Sequence, residues 1–153
     1  MLKKISFLVI LVTVLAFPLS VLAAQNTLTV TESQINGAYR VSNPARRTVS
    51  EVFVDLQDGQ ATITGTVTLR GKQPASVHVV VVPKLVTSGS RTLIDWTVTS
   101  FTVNGKAGSG EYIEARNAFT SALRRAISSQ LGRRYSVQSI VIADDTITVT
   151  YTH

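Results

Sequence analysis

Apolar and polar residues alternate with a period of two through the middle of the chain. Between Ala61 and Leu69 the odd positions are apolar or small, and every even position is threonine. This alternation predicts a strand with one buried and one solvated face. The Asp58-Gly59 pair in front of it is typical of a hairpin turn. The sequence thus predicts an antiparallel meander of four strands, Val49 to Leu56, Ala61 to Leu69, Val77 to Val86 and Thr92 to Val103.

The period changes to 3.6 between Tyr112 and Leu131, where apolar residues collect on one side of a helical wheel. Gly132 follows as a C-cap, and Glu111 and Glu114 suit the positive end of the helix dipole. This pattern predicts one long amphipathic helix.

A shorter helix is predicted from Thr31 to about Arg40, because Thr31 and Gln34 have the spacing of a capping box and Val30 and Ile35 that of a hydrophobic staple. The chain closes with a predicted hairpin, Val137 to Ile142 and Thr146 to Tyr151, which turns at Asp144-Asp145.

The element order is therefore helix, four strands, long helix, two strands. It indicates an α+β fold in which a curved, mostly antiparallel sheet, made of the four-strand meander and the C-terminal hairpin, wraps one long amphipathic helix, with a short N-terminal helix beside it.

The first residues have the layout of a secretory signal peptide. Lys3 and Lys4 precede an apolar run from Ile5 to Phe17, and small residues lead up to Ala23. We expect residues 1–23 to be a signal peptide and residues 24–153 a single α+β domain that is secreted or otherwise extracytoplasmic at the cell envelope. The alternative is an uncleaved N-terminal membrane anchor, because an apolar stretch of about 20 residues is just long enough to span a bilayer.

Composition and charge narrow the classes of function. The chain has 153 residues and no cysteine, which excludes a disulfide framework and a zinc-thiolate site. Its formal charge of +6 falls by the two charges of Lys3 and Lys4 to +4 without the leader. The predicted contacts for an anionic lipid headgroup, membrane surface or anionic wall polymer are Arg46, Arg47, Arg124 and Arg125, with Arg133-Arg134 a further doublet.

The alternative is that these arginines belong to an ordinary solvent-exposed surface with a net charge and bind no specific anion. Export and the lack of interleaved aromatic residues argue against nucleic acid as a partner.

The third and fourth strands are apolar on both faces. Val77, Val79 and Val81 alternate with Val80 and Val82. In strict alternation the fourth strand places Ile94, Trp96 and Val98 on one side and Leu93, Phe101 and Val103 on the other. Both faces therefore need an apolar cover, which a helix, a partner subunit or a bound lipid chain would provide.

Enzymatic interpretations find little support. His78 lies in a valine-rich strand and His153 ends the sequence, so metal-ligand spacing is absent. We expect no catalytic residue, no metal and no cofactor. Asp95 interrupts an apolar strand, and it needs either an arginine partner or a place at the sheet edge.

Several segments together resemble a group of bacterial extracytoplasmic domains that are distantly similar to the tubular lipid-binding (TULIP-like) superfamily. They are Thr31 to Asn36, Val52 to Leu56 before the Asp58-Gly59 turn, Pro83, Phe101 to Gly105 and the closing hairpin Val137 to Tyr151. The resemblance implies a curved sheet around a long helix and a lipid or other apolar ligand, and it carries no catalytic motif.

The expected function is non-enzymatic binding of a lipid or another apolar or amphipathic ligand at the cell envelope. The acyl portion is expected between helix and sheet, bounded by Val80, Val82, Ile94, Trp96 and Phe119. The alternative is a structural or interaction module, in which the second apolar face forms a homodimer or partner interface.

Overall fold

The computed structural model describes residues 24–153, and the predicted signal peptide 1–23 lies outside the described residues. The described part has the predicted α+β architecture. Its strands are β1 (Asn26–Thr31), β2 (Arg47–Gln57), β3 (Gln60–Leu69), β4 (Ala75–Ser88), β5 (Arg91–Val103), β6 (Lys106–Ala107), β7 (Ser136–Ala143) and β8 (Thr146–Thr152). Its helices are α1 (Glu32–Ala38) and α2 (Ile113–Leu131), with a turn of 3-10 helix at Gly110–Tyr112 before α2.

The predicted meander forms the large sheet, in the order β2-β3-β4-β5-β6 with every pair antiparallel. Ile63 faces Val79 across the β3–β4 ladder, and Ala61 faces Val81. All four side chains are fully buried, so the odd positions of β3 and β4 form the inner face, as the alternation predicts.

A β-bulge changes the phase of β5. Val80 pairs with Ser100 but Val81 pairs with Val98, which leaves Thr99 as the extra residue. Val98 and Phe101 therefore lie on the same, inner face. The strict alternation assumed from the sequence, which put these two residues on opposite faces, was wrong for this strand because it took no account of the extra residue.

The remaining strands form a second, separate sheet in the order β1-β8-β7. The sequence predicted one curved sheet and no strand before the short helix. Instead, β1, which contains the segment Thr-Leu-Thr-Val-Thr, pairs with Thr146 to Tyr151 of β8 in an antiparallel ladder. A single six-residue strand has no stability of its own, so β1 depends on this long-range pairing, which no local pattern predicts.

The capping box of α1 is confirmed. The Thr31 hydroxyl accepts a hydrogen bond from the Gln34 backbone N–H at 3.2 Å, and the Gln34 side chain accepts one from the Thr31 N–H at 2.9 Å. Val30 and Ile35, the predicted staple, are both buried.

Helix α1 also covers the free edge of β2. The Asn36 side-chain amide donates to the Val54 carbonyl and accepts from the Val54 N–H, both at 2.8 Å, and a Glu32 carboxylate oxygen accepts from the Leu56 N–H at 2.8 Å. Two side chains thus occupy hydrogen-bonding positions that a neighbouring strand would fill, which protects the edge from further pairing.

Helix α2 packs its apolar side on the inner face of the large sheet. Its buried residues are Ala115, Phe119, Ala122, Leu123, Ala126, Ile127 and Leu131. Phe119 approaches the sheet at Gly65, where an added Cβ would lie 3.0 Å from the ring.

Strand β7 contacts β2, β3, β4 and β5, so it runs across the large sheet. The Thr92 N–H donates to Ser136 Oγ at one end of β7, and the Gly59 N–H donates to the Ile142 carbonyl at the other. Within residues 24–153, no helix has both the length and the apolarity to cross a membrane.

Candidate functional site

The structure does not bring the five predicted apolar contact residues to one surface. Ile94, Trp96 and Phe119 are buried on the inner face of the sheet or in α2. Val80 and Val82 alternate with the buried Val79 and Val81, so they lie half-buried on the outer face of β4.

Packed side chains occupy the space between α2 and the large sheet. Phe119, Leu123 and Ile127 from the helix and Ile63 and Val79 from the sheet all have no exposed surface. A protein interior packed in this way leaves no room for an acyl chain. A ligand site formed by the described residues must therefore lie at the margin of the core.

A candidate for such a site lies where the tip of the β4–β5 hairpin meets the carboxyl end of α2. An open groove of about 310 Å³ begins there, which is near the lower limit of ligand-binding pockets. Val86 and Leu93, which are paired across the hairpin, line it together with Ile94 and Tyr135. Its polar margin comprises Ser88, Asp95, Arg124 and Ser128. We call this the apolar groove.

Asp95 sits at the margin of the apolar groove between two cations. Its carboxylate lies 3.3 Å from Lys84 Nζ and 3.9 Å from Arg124 Nη1. These side chains are between 40% and 52% exposed, so the pairs contribute little to stability. Asp95 thus has an arginine partner, which is one of the two alternatives that the sequence left open, and Arg124 faces the groove with its charge partly balanced.

A second, strongly basic hollow of about 600 Å³ adjoins this region. Arg91 from the start of β5 and Arg133 and Arg134 from the loop after α2 line it, together with His153. No aspartate or glutamate side chain is among its lining residues, which are completed by Ser90, Tyr135, Ser136 and Thr152. We call this the basic hollow.

The chain after α2 connects the two features. Gly132 ends the helix with a φ of +87°, a backbone conformation that glycine adopts without steric cost. Arg133, Arg134 and Tyr135 follow at once. Tyr135 lines both the apolar groove and the basic hollow, so the two share one wall.

The sequence indicates only part of this arrangement. The Arg133-Arg134 doublet is visible in the sequence, but nothing local indicates that Arg91 lies beside it or that Tyr135 joins an apolar and a basic surface. Only the pairing of β4 with β5 and the packing of β7 against β5 bring these segments together.

The predicted basic residues separate into different regions. Arg46 and Arg47 lie at the other end of the molecule, where they line a cleft with Arg70 and Lys72. That cleft is near the start of β4, a strand of 14 residues whose far end reaches the apolar groove. A strand of this length spans about 45 Å, so the two regions are distinct.

Arg125 links α2 to the chain that follows α1. Its Nη2 donates to the Arg40 carbonyl at 3.4 Å, beside the buried phenol of Tyr39. Burial raises the pKa of Tyr39 above its usual range, and the Arg125 charge opposes part of that rise.

The described residues contain no cluster of three or more His, Asp or Glu side chains that could hold a metal ion. His78 is exposed on the outer face of the large sheet, between Thr64 on β3 and Thr102 on β5. Comparison with known proteins finds no family model that matches the chain and no curated protein with significant sequence similarity to it.

Proposed function

We propose that this protein binds an amphipathic, anionic lipid-like molecule at the cell envelope, without covalent attachment and without catalysing a reaction. The acyl portion lies in the apolar groove, and the anionic headgroup lies in the basic hollow. The single observation that carries the proposal is that Tyr135 lines both, which places an apolar surface directly beside three arginines.

The apolar groove provides the attraction for the chain of the ligand. Val86 is 39% exposed and Leu93 is half-buried. Burial of a methylene group contributes about 0.8 kcal/mol. About six buried methylenes then offset the lower end of the ~4–15 kcal/mol that association costs in lost freedom of motion.

The basic hollow provides selectivity for charge. Arg91, Arg133 and Arg134 form no ion pair with a described carboxylate side chain, so their charges are available to a ligand. A guanidinium binds a carboxylate or phosphate through two parallel hydrogen bonds, which favours an anionic headgroup over a neutral one.

Extracytoplasmic function rests on the predicted signal peptide 1–23. A lipid-like ligand is also the ligand class that the TULIP-like resemblance implies. The extracytoplasmic location and the resemblance are parts of this proposal. The apolar groove is formed by residues 24–153 and is independent of both.

The test compares laurate with dodecanol, which have the same chain length and differ in headgroup charge. Both are titrated calorimetrically, below the concentration at which they aggregate, into protein recovered from cells that express the full chain. We expect Val86→Asp to weaken both ligands at least tenfold, because it places a charge in the apolar groove. Val141→Asp is the matched control, because Val141 is 59% exposed on the small sheet.

The double variant Arg133→Gln/Arg134→Gln tests the headgroup position. It should weaken laurate about tenfold and leave dodecanol unchanged, since each lost charge-assisted hydrogen bond is worth about 1.5–3 kcal/mol before solvent screening reduces it. Arg40→Gln, at an exposed position, is the control. Equal laurate affinity in the wild type, Val86→Asp and the double variant would disprove the proposal.

A second candidate function is an interaction module, as in the alternative from the sequence. The observation that favours it is the outer face of β4, where the apolar side chains of Val80 and Val82 are only half-buried. Light scattering at micromolar concentration distinguishes the two functions. A dimer that becomes a folded monomer on Val82→Asp substitution supports the interaction module, whereas a monomer supports the ligand-binding protein.

A further inference from the structure

Arg47 is a buried cation. It is only 8% exposed at the start of β2, on the same face as the core residue Val49. Its Nη2 donates to the Ser42 carbonyl at 3.2 Å, while its buried Nε has no hydrogen-bond partner within residues 24–153. None of the ion pairs among the described residues includes Arg47. A buried charge without a counterion is costly to the fold, so the position requires an explanation.

Arg47 lines a cleft to which three more cations contribute. Arg46, Arg70 and Lys72 line a cleft of about 270 Å³ together with Arg47, and the threonines Thr48 and Thr68 flank it. We call this the Arg47 cleft.

The backbone fixes this arrangement. The Arg70 N–H donates to the Arg46 carbonyl at 3.0 Å, and Thr48 pairs with Thr68 across the β2–β3 ladder. Gly71, with a φ of +76°, turns the chain so that Lys72 returns to the same cleft. The cations are therefore held together by strand pairing and a tight turn.

Carboxylates balance only part of this cluster. Glu111 accepts a hydrogen bond from Lys72 Nζ, which raises the pKa of the lysine. Glu111 and Glu114 line the adjacent hollow near the amino end of α2, together with Arg46 and Arg70. Neither glutamate lines the Arg47 cleft, so the charge of Arg47 is left without a partner there.

We propose that the Arg47 cleft is a second binding site, specific for a phosphate-type oxyanion that supplies the counterion missing from Arg47. The guanidinium groups that line the cleft bind its oxygens through charge-assisted hydrogen bonds. The cleft is lined mainly by charged and hydroxyl-bearing residues, so it suits a phosphate group and not an acyl chain. It lies at the opposite end of β4 from the apolar groove, so this site does not depend on the proposed lipid site.

Nuclear magnetic resonance provides a local test. Backbone amide signals of Thr48, Gly71 and Lys72 are followed while inorganic phosphate is added to protein recovered from cells that express the full chain. Sodium chloride at equal ionic strength is the reference. We expect saturable shifts with phosphate, and only small, non-saturating shifts with chloride.

A parallel titration uses dihexanoyl phosphatidylglycerol, a water-soluble lipid with a phosphodiester headgroup. Saturation by inorganic phosphate alone identifies a free phosphate site, and saturation by the lipid alone identifies a headgroup site. Either result supports an oxyanion site. Absence of saturable shifts with both probes overturns the proposal.

Variants then assign the binding to Arg47. Arg47→Met should weaken the saturating probe at least tenfold, and Arg70→Gln provides a second test should Arg47→Met fail to fold. Arg133→Gln is the matched control, because it changes the basic hollow only. Unchanged affinity in Arg70→Gln, or in a folded Arg47→Met, overturns the proposal. Laurate binding at the apolar groove should be unaffected by either variant, which separates this test from that of the proposed function.

Discussion

The phenol of Tyr39 donates a 2.7 Å hydrogen bond to the backbone carbonyl of Phe119. Tyr39 follows α1 directly, and Phe119 lies in α2 with its ring against Gly65. The bond therefore links the N-terminal helix to the helix that organises the core. Because the phenol is buried and uncharged in this arrangement, its ionisation is coupled to folding.

This coupling predicts a loss of stability at alkaline pH. Below about pH 10 the phenol is neutral in both the folded and the unfolded chain. Above it the unfolded phenol ionises, whereas burial keeps the folded one neutral, so the free energy of unfolding falls as pH rises. Once the unfolded phenol is fully ionised, Tyr39 lowers the free energy of unfolding by about 1.4 kcal/mol for each further pH unit.

Urea unfolding between about pH 8 and pH 11 measures this effect. Tyr39→Phe should cost about 1 kcal/mol at neutral pH, because it removes one buried hydrogen bond. Its stability should then decline less steeply above pH 10 than that of the wild type. Parallel declines in both proteins would show that Tyr39 is not the coupled group.

The ring of Phe101 packs so close to Gly108 that no space is left for a side chain at this position. A Cβ placed on Gly108 would lie 2.6 Å from Phe101 Cζ, and the Gly108 N–H also donates to the Phe101 carbonyl at 2.8 Å. Arg116 lies over the same ring, 5.7 Å from its centroid. We expect Gly108→Ala to destabilise the protein by about 1–3 kcal/mol, as overpacking does elsewhere.

Gly37→Ala is the control for the added methyl group. Gly37 lies within α1 and has no atom within 4 Å of the position of a Cβ, so alanine should stabilise the helix by about 0.5–1 kcal/mol. Thermal unfolding of both variants measures the contrast. A Gly108→Ala variant as stable as the wild type would contradict the described packing of Phe101.

Asp95 is predicted to limit the affinity of the apolar groove for anions. Asp95→Asn removes the carboxylate at its margin and frees the charges of Lys84 and Arg124. Exposed ion pairs are worth about 0.2–1 kcal/mol, so stability should change little. Laurate affinity should rise about two- to threefold at low salt, and the gain should disappear at high salt.

Asp144→Asn, in the exposed β7–β8 turn, is the matched control for this change of charge. It should leave laurate affinity as it is. A fall in affinity on Asp95→Asn would contradict the position of the anionic headgroup.

Local sequence patterns predicted the elements that local physics specifies. The Thr31–Gln34 capping box, the apolar side of α2 and the Asp58-Gly59 turn all depend on residues a few positions apart, and all are present. The α+β class follows from the order of these elements.

Long-range pairing explains what was missed. Strand β1 exists through its contact with β8, more than a hundred residues later, and the extra residue Thr99 changes the phase of β5 only in the context of its pairing with β4. The division of the strands into two sheets has the same origin.

The same reason limits what the sequence could say about the candidate sites. The Arg46-Arg47 doublet was identified as a basic feature, but its approach to Arg70 and Lys72 depends on the β2–β3 ladder. Strand and helix periodicity placed Trp96 and Phe119 on apolar faces, and both are buried. Periodicity does not separate a core residue from one that lines a ligand site, and an apolar residue in a strand or helix is more often in the core.

Native mass spectrometry tests the central claim most directly. Protein is purified without detergent from cells that express the full chain, and bound material is then extracted with organic solvent. We predict a reproducible added mass that extracts as an anionic lipid and that is lost in Val86→Asp but retained in Val141→Asp. An unliganded wild-type protein, or an added mass that persists in Val86→Asp, would contradict the claim.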